Sequence, residues 1–216
     1  MSYIAERRIE EKERRRNEIL DAAESLYAKE GWDAVTMDQV ARGARLSRAL
    51  VYVYFRDKEE LLFGIGERAM KELRNRFVTA SADQDLGIDK VQAIGRAYMT
   101  YANDLPHYFD ACSRFNQHSD AADAGTTAGD CGIAGDLVIT EVVKTIEVGK
   151  HDGSIRPDVG DSTVLALSLW AFTHGVIQIA MSKGEDIARL GVDSPQLIDY
   201  AFGLIRRMCA TDALPG

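Results

Sequence analysis

Residues 36–62 read TMDQVARGARLSRALVYVYFRDKEELL, and the punctuation of this stretch decides the fold. Thr36-Met37-Asp38-Gln39 is a capping box, in which the threonine side chain accepts from the third backbone amide of a new helix while Gln39 reaches back to the cap. Val35 and Val40 flank that cap at the positions of a hydrophobic staple. The helix is short, because Gly43-Ala44-Arg45 leads to a second cap at Ser47, again bracketed by a staple pair, Leu46 and Val51. Two short helices joined by about three residues make a helix-turn-helix. The second runs from Arg48 to about Phe55 and stops at Arg56-Asp57, where Asp57-Lys58-Glu59-Glu60 caps a longer helix carrying Leu62, Ile65, Ala69, Leu73 and Phe77 in register.

On the N-terminal side, Ile19, Ala23, Leu26 and Tyr27 share one face of a helix from about Arg14 to Glu30, with Gly31 as its stop. Residues 6–16 mix Arg7, Arg8, Lys12, Arg14, Arg15 and Arg16 with Glu6, Glu10, Glu11 and Glu13. They suit a helical extension laced by i,i+4 pairs, or an arm entering a DNA minor groove.

On the C-terminal side, Ser81 to Gly87 is a polar break and the expected domain seam. Ile88, Val91, Ile94, Tyr98, Tyr101 and Leu105 are spaced as an amphipathic helix ended by Pro106, and His107 to Gln117 predicts one more short helix. Ser119 to Gly135, rich in Ala, Gly, Asp and Thr, predicts a mobile loop or frayed helix before a helix over 133–150. Val164 to Met181 is nearly continuous apolar sequence with Asp161 as its cap; Ser168, Thr173, His174 and Gln178 interrupt it, so it reads as a helix buried on most of its faces, in a domain or a dimer, rather than a membrane span. A last helix is expected from Ser194 as N-cap, with Pro195 at the first helical position, to Arg206-Arg207.

The 216 residues carry a net charge of −8, which at first argues against nucleic acid. The charge is uneven, however. Residues 1–60 balance 12 Lys and Arg against 13 Asp and Glu, and within 36–58 five basic residues face only Asp38 and Asp57. DNA responds to that local field, since salt screens charge beyond about 8–10 Å. Cys112, Cys131 and Cys209 show no zinc or redox spacing and suit reduced thiols, and the charged N-terminus lacks the apolar core of a secretory signal, so a cytoplasmic protein is expected.

The 36–62 stretch closely resembles the tetracycline-repressor (TetR) family of regulators. Thr36, Ala41-Arg42, Ser47-Arg48, Tyr52, Phe55, Lys58, Glu59 and Leu61 match the family's cap threonine, Ala-Arg pair, Ser-Lys/Arg start, Tyr-x-x-Phe end and Lys-Glu-x-Leu continuation. The resemblance implies an all-α homodimer with a three-helix helix-turn-helix DNA-binding domain over 1–58, then a helical effector-binding and dimerisation domain over 59–216. Ser47 to Phe55 would be the recognition helix, with Arg48 suited to a guanine edge, and Thr36, Tyr52 and Lys58 would hold phosphates of a palindromic double-stranded operator. Ser47 and Tyr54 complete the expected DNA-binding set together with Arg45, which stands where the family usually has Gly. A left-handed backbone there would carry strain of about 1 kcal/mol unless the side chain is kept for a phosphate.

Family relatives bind a small-molecule effector inside the second domain and dimerise through their last two long helices. Tyr98, Tyr101, Tyr108, Phe109, Cys112, Phe115, Trp170, Phe172 and His174 are the candidate pocket residues here, aromatics with a few polar groups that equally suit a plain core. The expected mechanism is repression released by ligand. A ligand-dependent activator, or a ligand-binding bundle that has lost operator binding, are the alternatives. His107, Cys112 and His118 lack the i,i+4 spacing that pairs metal ligands on a helix, and no catalytic constellation or cofactor motif stands out. Neither enzyme chemistry nor a metal or other cofactor is expected.

Overall fold

A computed structural model describes residues 3–114 and 125–211, and among them the chain is all-α, with a single isolated antiparallel bridge between Ile155 and Ala210. The described residues form two compact units. One comprises the chain up to Met70 together with Leu105–Ala134, the other Lys71–Asp104 together with the chain from Gly135 onward. The units are therefore interleaved in sequence rather than cut once near residue 58.

In the first unit, helix α1 (Tyr3–Glu30) runs unbroken through the basic segment. Arg14 and Arg15 each pair with both Glu11 and Glu18 one turn away, so residues 3–13 are a helical extension. A 3-10 turn, Trp32–Ala34, leads to α2 (Met37–Gly43), α3 (Arg48–Tyr54) and the start of α4 (Lys58–Ala82). Ile19, Leu20, Val40, Val51, Phe55, Leu61 and Ile65 meet in a core closed to solvent, each side chain contributing about 1.5–3 kcal/mol. Gly64 permits the closeness of this packing, since a Cβ there would fall 2.8 Å from Leu20 Cδ2 and 3.2 Å from the Phe55 ring.

Helix α6 (Pro106–Arg114) is bound into the same unit by side chains distant in sequence. The Tyr27 hydroxyl donates to Asp110 at 2.5 Å, and Arg114 donates to Asp110 at 2.8 Å and to Asp33 at 3.2 Å. Burial, then the Asp110 carboxylate, hold the Tyr27 hydroxyl far above its ordinary pKa, so it remains a donor.

The second unit contains the end of α4, α5 (Gly87–Asp104), most of α7 (Thr127–Asp152), α8 (Ser162–Ser182), α9 (Gly184–Ala188) and α10 (Ser194–Cys209). The first turn of α5 crosses the last turns of α7 backbone against backbone. A Cβ on Gly87 would lie 2.1 Å from the Gly149 nitrogen, so only glycine fits. The otherwise orphaned amides of that turn find partners at the end of α7 and just past it, Gly87 N–H donating to Asp152 at 2.8 Å and Ile88 N–H to the Ser154 hydroxyl at 3.0 Å.

Several elements differ from the sequence reading. Helix α7 begins at Thr127 rather than near 133, because the Thr126 hydroxyl accepts from Gly129 N–H and burial of Cys131 and Ala134 outweighs the weak local propensity. The earlier part of the expected loop, 119–124, lies outside the described residues. The cap of α10 is Asp193, which accepts from Gln196 N–H at 2.7 Å, while Ser194 donates to the Ala180 carbonyl and Pro195 moves to the second position. The short α9 has no counterpart in the reading. The polar segment 81–87 takes in the end of α4, the short connection 83–86 and the first residue of α5, and the compact units divide elsewhere.

Helix α8 is covered on one side within the chain. Ser162, Ala166, Leu169, Thr173 and Ile177 form one buried stripe at helical spacing, but Val164, Leu167, Phe172, Ile179 and Met181 are exposed, Val164 at 63 %. Within one chain this apolar helix buries one side only, since its own unit supplies packing partners on that side alone. Its length and composition would also satisfy a membrane span.

Candidate nucleic-acid interface

Both predicted caps of the helix-turn-helix are formed. Thr36 Oγ1 accepts from Gln39 N–H at 3.3 Å and Gln39 Oε1 accepts from Thr36 N–H at 2.9 Å, the reciprocal pair of a capping box. Ser47 accepts from Leu50 N–H at 3.2 Å and starts α3. Between them the chain turns through Arg45, whose φ of +57° is the one left-handed value at a non-glycine position among the described residues. The turn thus keeps the conformation glycine would favour, at a cost of about 1 kcal/mol.

Helix α3 presents two faces of opposite character. Val51, with Phe55 at the C-cap, is sealed in the core, while Arg48, Ala49, Tyr52 and Val53 face solvent, Val53 at 75 %. The exposed face joins a guanidinium and a phenol to two apolar groups that suit thymine methyls. The sequence reading nominated Arg48 and Tyr52 but passed over Ala49 and Val53. Their signal was available: each lies two positions from the buried Val51, on the side of the helix opposite the core.

Arg48 is held in place. Its Nη1 donates to Asp38 at 3.3 Å, its Nε lies 3.2 Å from the same carboxylate, its Nη2 donates to the Tyr52 hydroxyl at 3.4 Å, and its guanidinium stands 5.5 Å from the Tyr52 ring centroid. Exposed Arg45 and Ser47 complete the surface around the start of α3.

Two nominated residues point elsewhere. Lys58 donates to the carbonyls of Trp32 at 2.5 Å and Asp33 at 3.3 Å and sits 4.9 Å from the Trp32 ring centroid; burial lowers its pKa. Its ammonium secures the 3-10 turn against α4. Tyr54 is half-buried, packed on the core beneath α3. The Thr36 hydroxyl is engaged with Gln39, to which it also donates at 2.7 Å. Asp57 caps α4 as expected, accepting from Glu60 N–H at 2.8 Å, and that bond heads the causes that keep its carboxyl below the ordinary range.

In the second unit a partly open cavity of about 40 Å3 lies among α4, α5, α7, α8 and α10. Its wall is apolar, with Phe77, Val91, Val142 and Leu169, and takes polar character from Tyr98, Trp170 and Thr173. The Tyr98 hydroxyl shares a 2.7 Å hydrogen bond with His174 Nδ1 and accepts from Trp170 Nε1 at 3.4 Å, while burial lowers the His174 pKa. Of the nominated pocket residues, Tyr98 and Trp170 line this cavity and His174 is bonded to it. Tyr101 is buried under the Arg76 guanidinium, and Phe172 faces out from α8. Tyr108, Phe109 and Cys112 belong to the first unit, because α6 is bonded to α1 there. Phe115 and His118 lie outside the described residues. Helical spacing located these aromatics on faces but could not assign α6 to a unit.

Residues 19–65 match the family model for bacterial regulatory proteins of the tetR family. The HTH-type transcriptional regulator HbdR of Aromatoleum sp. (strain CIB) is 43% identical over 51 residues, 24% of this chain and 22% of that protein. The match therefore spans less than a quarter of that relative's length. Among solved structures, a protein of unknown function from Rhodococcus sp. RHA1 aligns at a TM-score of 0.75 and 24% identity, over 91% of this chain and 96% of the other. A putative tetR family transcription regulator from Shewanella sp. PV-4 aligns at 0.65 and 14%, over 91% and 98%. A putative transcriptional regulator from Saccharomonospora viridis in complex with choline aligns at 0.70 and 19%, over 91% and 97%. The doubly capped helix-turn-helix lies inside the segment 19–65 that matches the tetR family model, and over its whole length the chain shares the fold of these solved structures.

Proposed function

We propose that this protein is a DNA-binding transcriptional regulator, a homodimer that holds a palindromic operator through two copies of α3 and is released by a small-molecule effector. The observation that carries the reading is the exposed face of α3. Arg48, Ala49, Tyr52 and Val53 are displayed on a helix whose other side is fixed in a core, as a rigid reading head requires. Arg48 reads a guanine edge and Val53 a thymine methyl, while Ser47, Tyr52 and Arg45 hold the backbone. Thr36 adds a phosphate contact once its hydroxyl turns from Gln39. Tyr54 and Lys58 serve by fixing α3 and the 3-10 turn from behind.

The uncovered apolar side of α8 supports the homodimer, since a stripe of Val164, Leu167, Phe172 and Ile179 left in water is what a second copy would bury. A two-fold pair of recognition helices reads half-sites about 34 Å apart or a multiple of that distance. The cavity around Tyr98 and Trp170 supports effector binding, and its present size supports a mechanism. At about 40 Å3 it admits little more than water. A ligand larger than water widens the space between α5, α7 and α8 on binding, which couples occupancy to a change of shape and shifts the dimer away from the spacing that DNA selects. The Saccharomonospora viridis relative carries choline, so the fold accommodates a small organic ligand.

Selection of bound duplexes from a random DNA pool by the purified protein tests the reading. Enrichment of one palindromic motif is the expected result; a folded dimer that enriches none would refute it.

A further inference from the structure

We infer that Asp38 is a specificity-determining residue, holding the Arg48 guanidinium against capture by backbone phosphates so that it reads an uncharged base edge instead. The inference rests on the operator-binding reading above and deepens it.

Asp38 lies in the first turn of α2 and Arg48 opens α3, so the two capped helix starts bring a carboxylate to the reading head itself. The Arg48 side chain is 59 % exposed and that of Asp38 50 %, so the pair lies on the surface and can open. An exposed ion pair is worth little by itself, about 0.2–1 kcal/mol, so its interest lies in what replaces it. A DNA phosphate offers Arg48 one more anion, but taking it strands Asp38 against a polyanion. A guanine edge is uncharged and presents two acceptors in the plane of the guanidinium, so Arg48 can read it while keeping Asp38 as a third partner. Tyr52 completes the cradle, its hydroxyl and ring fixing the plane from the other side. Asp38 thereby penalises docking on arbitrary sequence and spares docking on the operator, the repulsive element that specificity calls for. Asp38 acts through Arg48 and is in that sense a positioning residue.

The test compares binding of full-length wild type and Asp38→Asn to two duplexes of equal length, the palindrome enriched by selection and a random sequence, across a salt series. The expected result is random-duplex affinity raised by about threefold to tenfold, with a salt slope steeper by about one because Arg48 now neutralises a phosphate, and operator affinity changed less than twofold. Asp38→Glu, which keeps the charge, should restore discrimination, and in an Arg48→Ala background Asp38→Asn should no longer change the ratio of the two affinities. Equal gains on both duplexes, an unchanged ratio, or an undiminished effect without Arg48 would each overturn the inference. Failure of the wild type to enrich any palindrome would overturn the operator reading beneath it, and is distinguishable because it appears before any variant is made.

Discussion

The solvent faces of α3 and α8 make opposite use of exposed surface. On α3 a few residues, Arg48 and Tyr52 beside Ala49 and Val53, form a small mixed patch in which the charge is already paired and each polar group has a partner. On α8 the exposed residues are mostly apolar, Val164, Leu167, Phe172, Ile179 and Met181, with Ser168 and Gln178 among them. The first suits a wet, charged partner that changes from one sequence to the next. The second suits a dry partner of matching shape, and a copy of the same chain satisfies that by symmetry. The contrast shows that exposure alone is not a functional signal; the chemistry of what is exposed, and whether it has been satisfied locally, tells the two surfaces apart.

The largest expected effect would break this comparison if it failed. Leu167→Glu places a carboxylate on the strip of α8, and excluding it from water within a dimer costs about 3 kcal/mol, roughly a hundredfold in dimer affinity. Sedimentation equilibrium should then report monomer, with helical content by circular dichroism unchanged. A persistent dimer would mean that the strip of α8 is not the dimer contact.

Arg48→Ala should separate the two faces from the other direction. Loss of a bidentate base contact weakens operator binding by about 1–3 kcal/mol, seen by fluorescence anisotropy, while the dimer stays intact. Retained operator affinity would remove α3 from the role given to it.

A third measurement sharpens the account of the buried second unit. Burial holds the His174 pKa below its ordinary 6.5, so the folded state resists the proton that the unfolded chain accepts. Stability is insensitive to this group above that pH and falls as pH drops through 6.5 toward the lowered folded value, because the unfolded chain binds more protons in that window. His174→Gln should flatten part of the decline in urea-unfolding free energy below pH 6.5. A remainder should persist from His107, whose pKa burial also lowers.

The smallest effect is at the turn. Arg45→Gly relieves a left-handed backbone and should raise stability by about 0.5–1 kcal/mol, a shift of a few degrees in thermal midpoint. If the side chain also holds a phosphate, the same variant lowers the salt dependence of operator binding by about one.

The sequence by itself determined the elements whose signals are local. A cap, its staple and the next cap lie within a few residues of one another, so the capping box at Thr36 and the start at Ser47 were legible from residue types and spacing alone. The cap at Asp161 was readable for the same reason, whereas the N-terminal basic segment suited a helical extension and an arm alike until α1 was seen to run through it. Tertiary structure alone decided what depends on distant partners. Lys58 turned inward because the carbonyls of Trp32 and Asp33 come within its reach, and Tyr54 because the core lay beneath it. Tyr108, Phe109 and Cys112 left the expected pocket because Tyr27 and Asp33 hold α6 in the first unit. The pairing of Asp38 with Arg48 and the one-sided burial of α8 were equally hidden. Periodicity reports that a helix has an apolar face, but which face is covered, and by what, depends on chain segments far away in sequence.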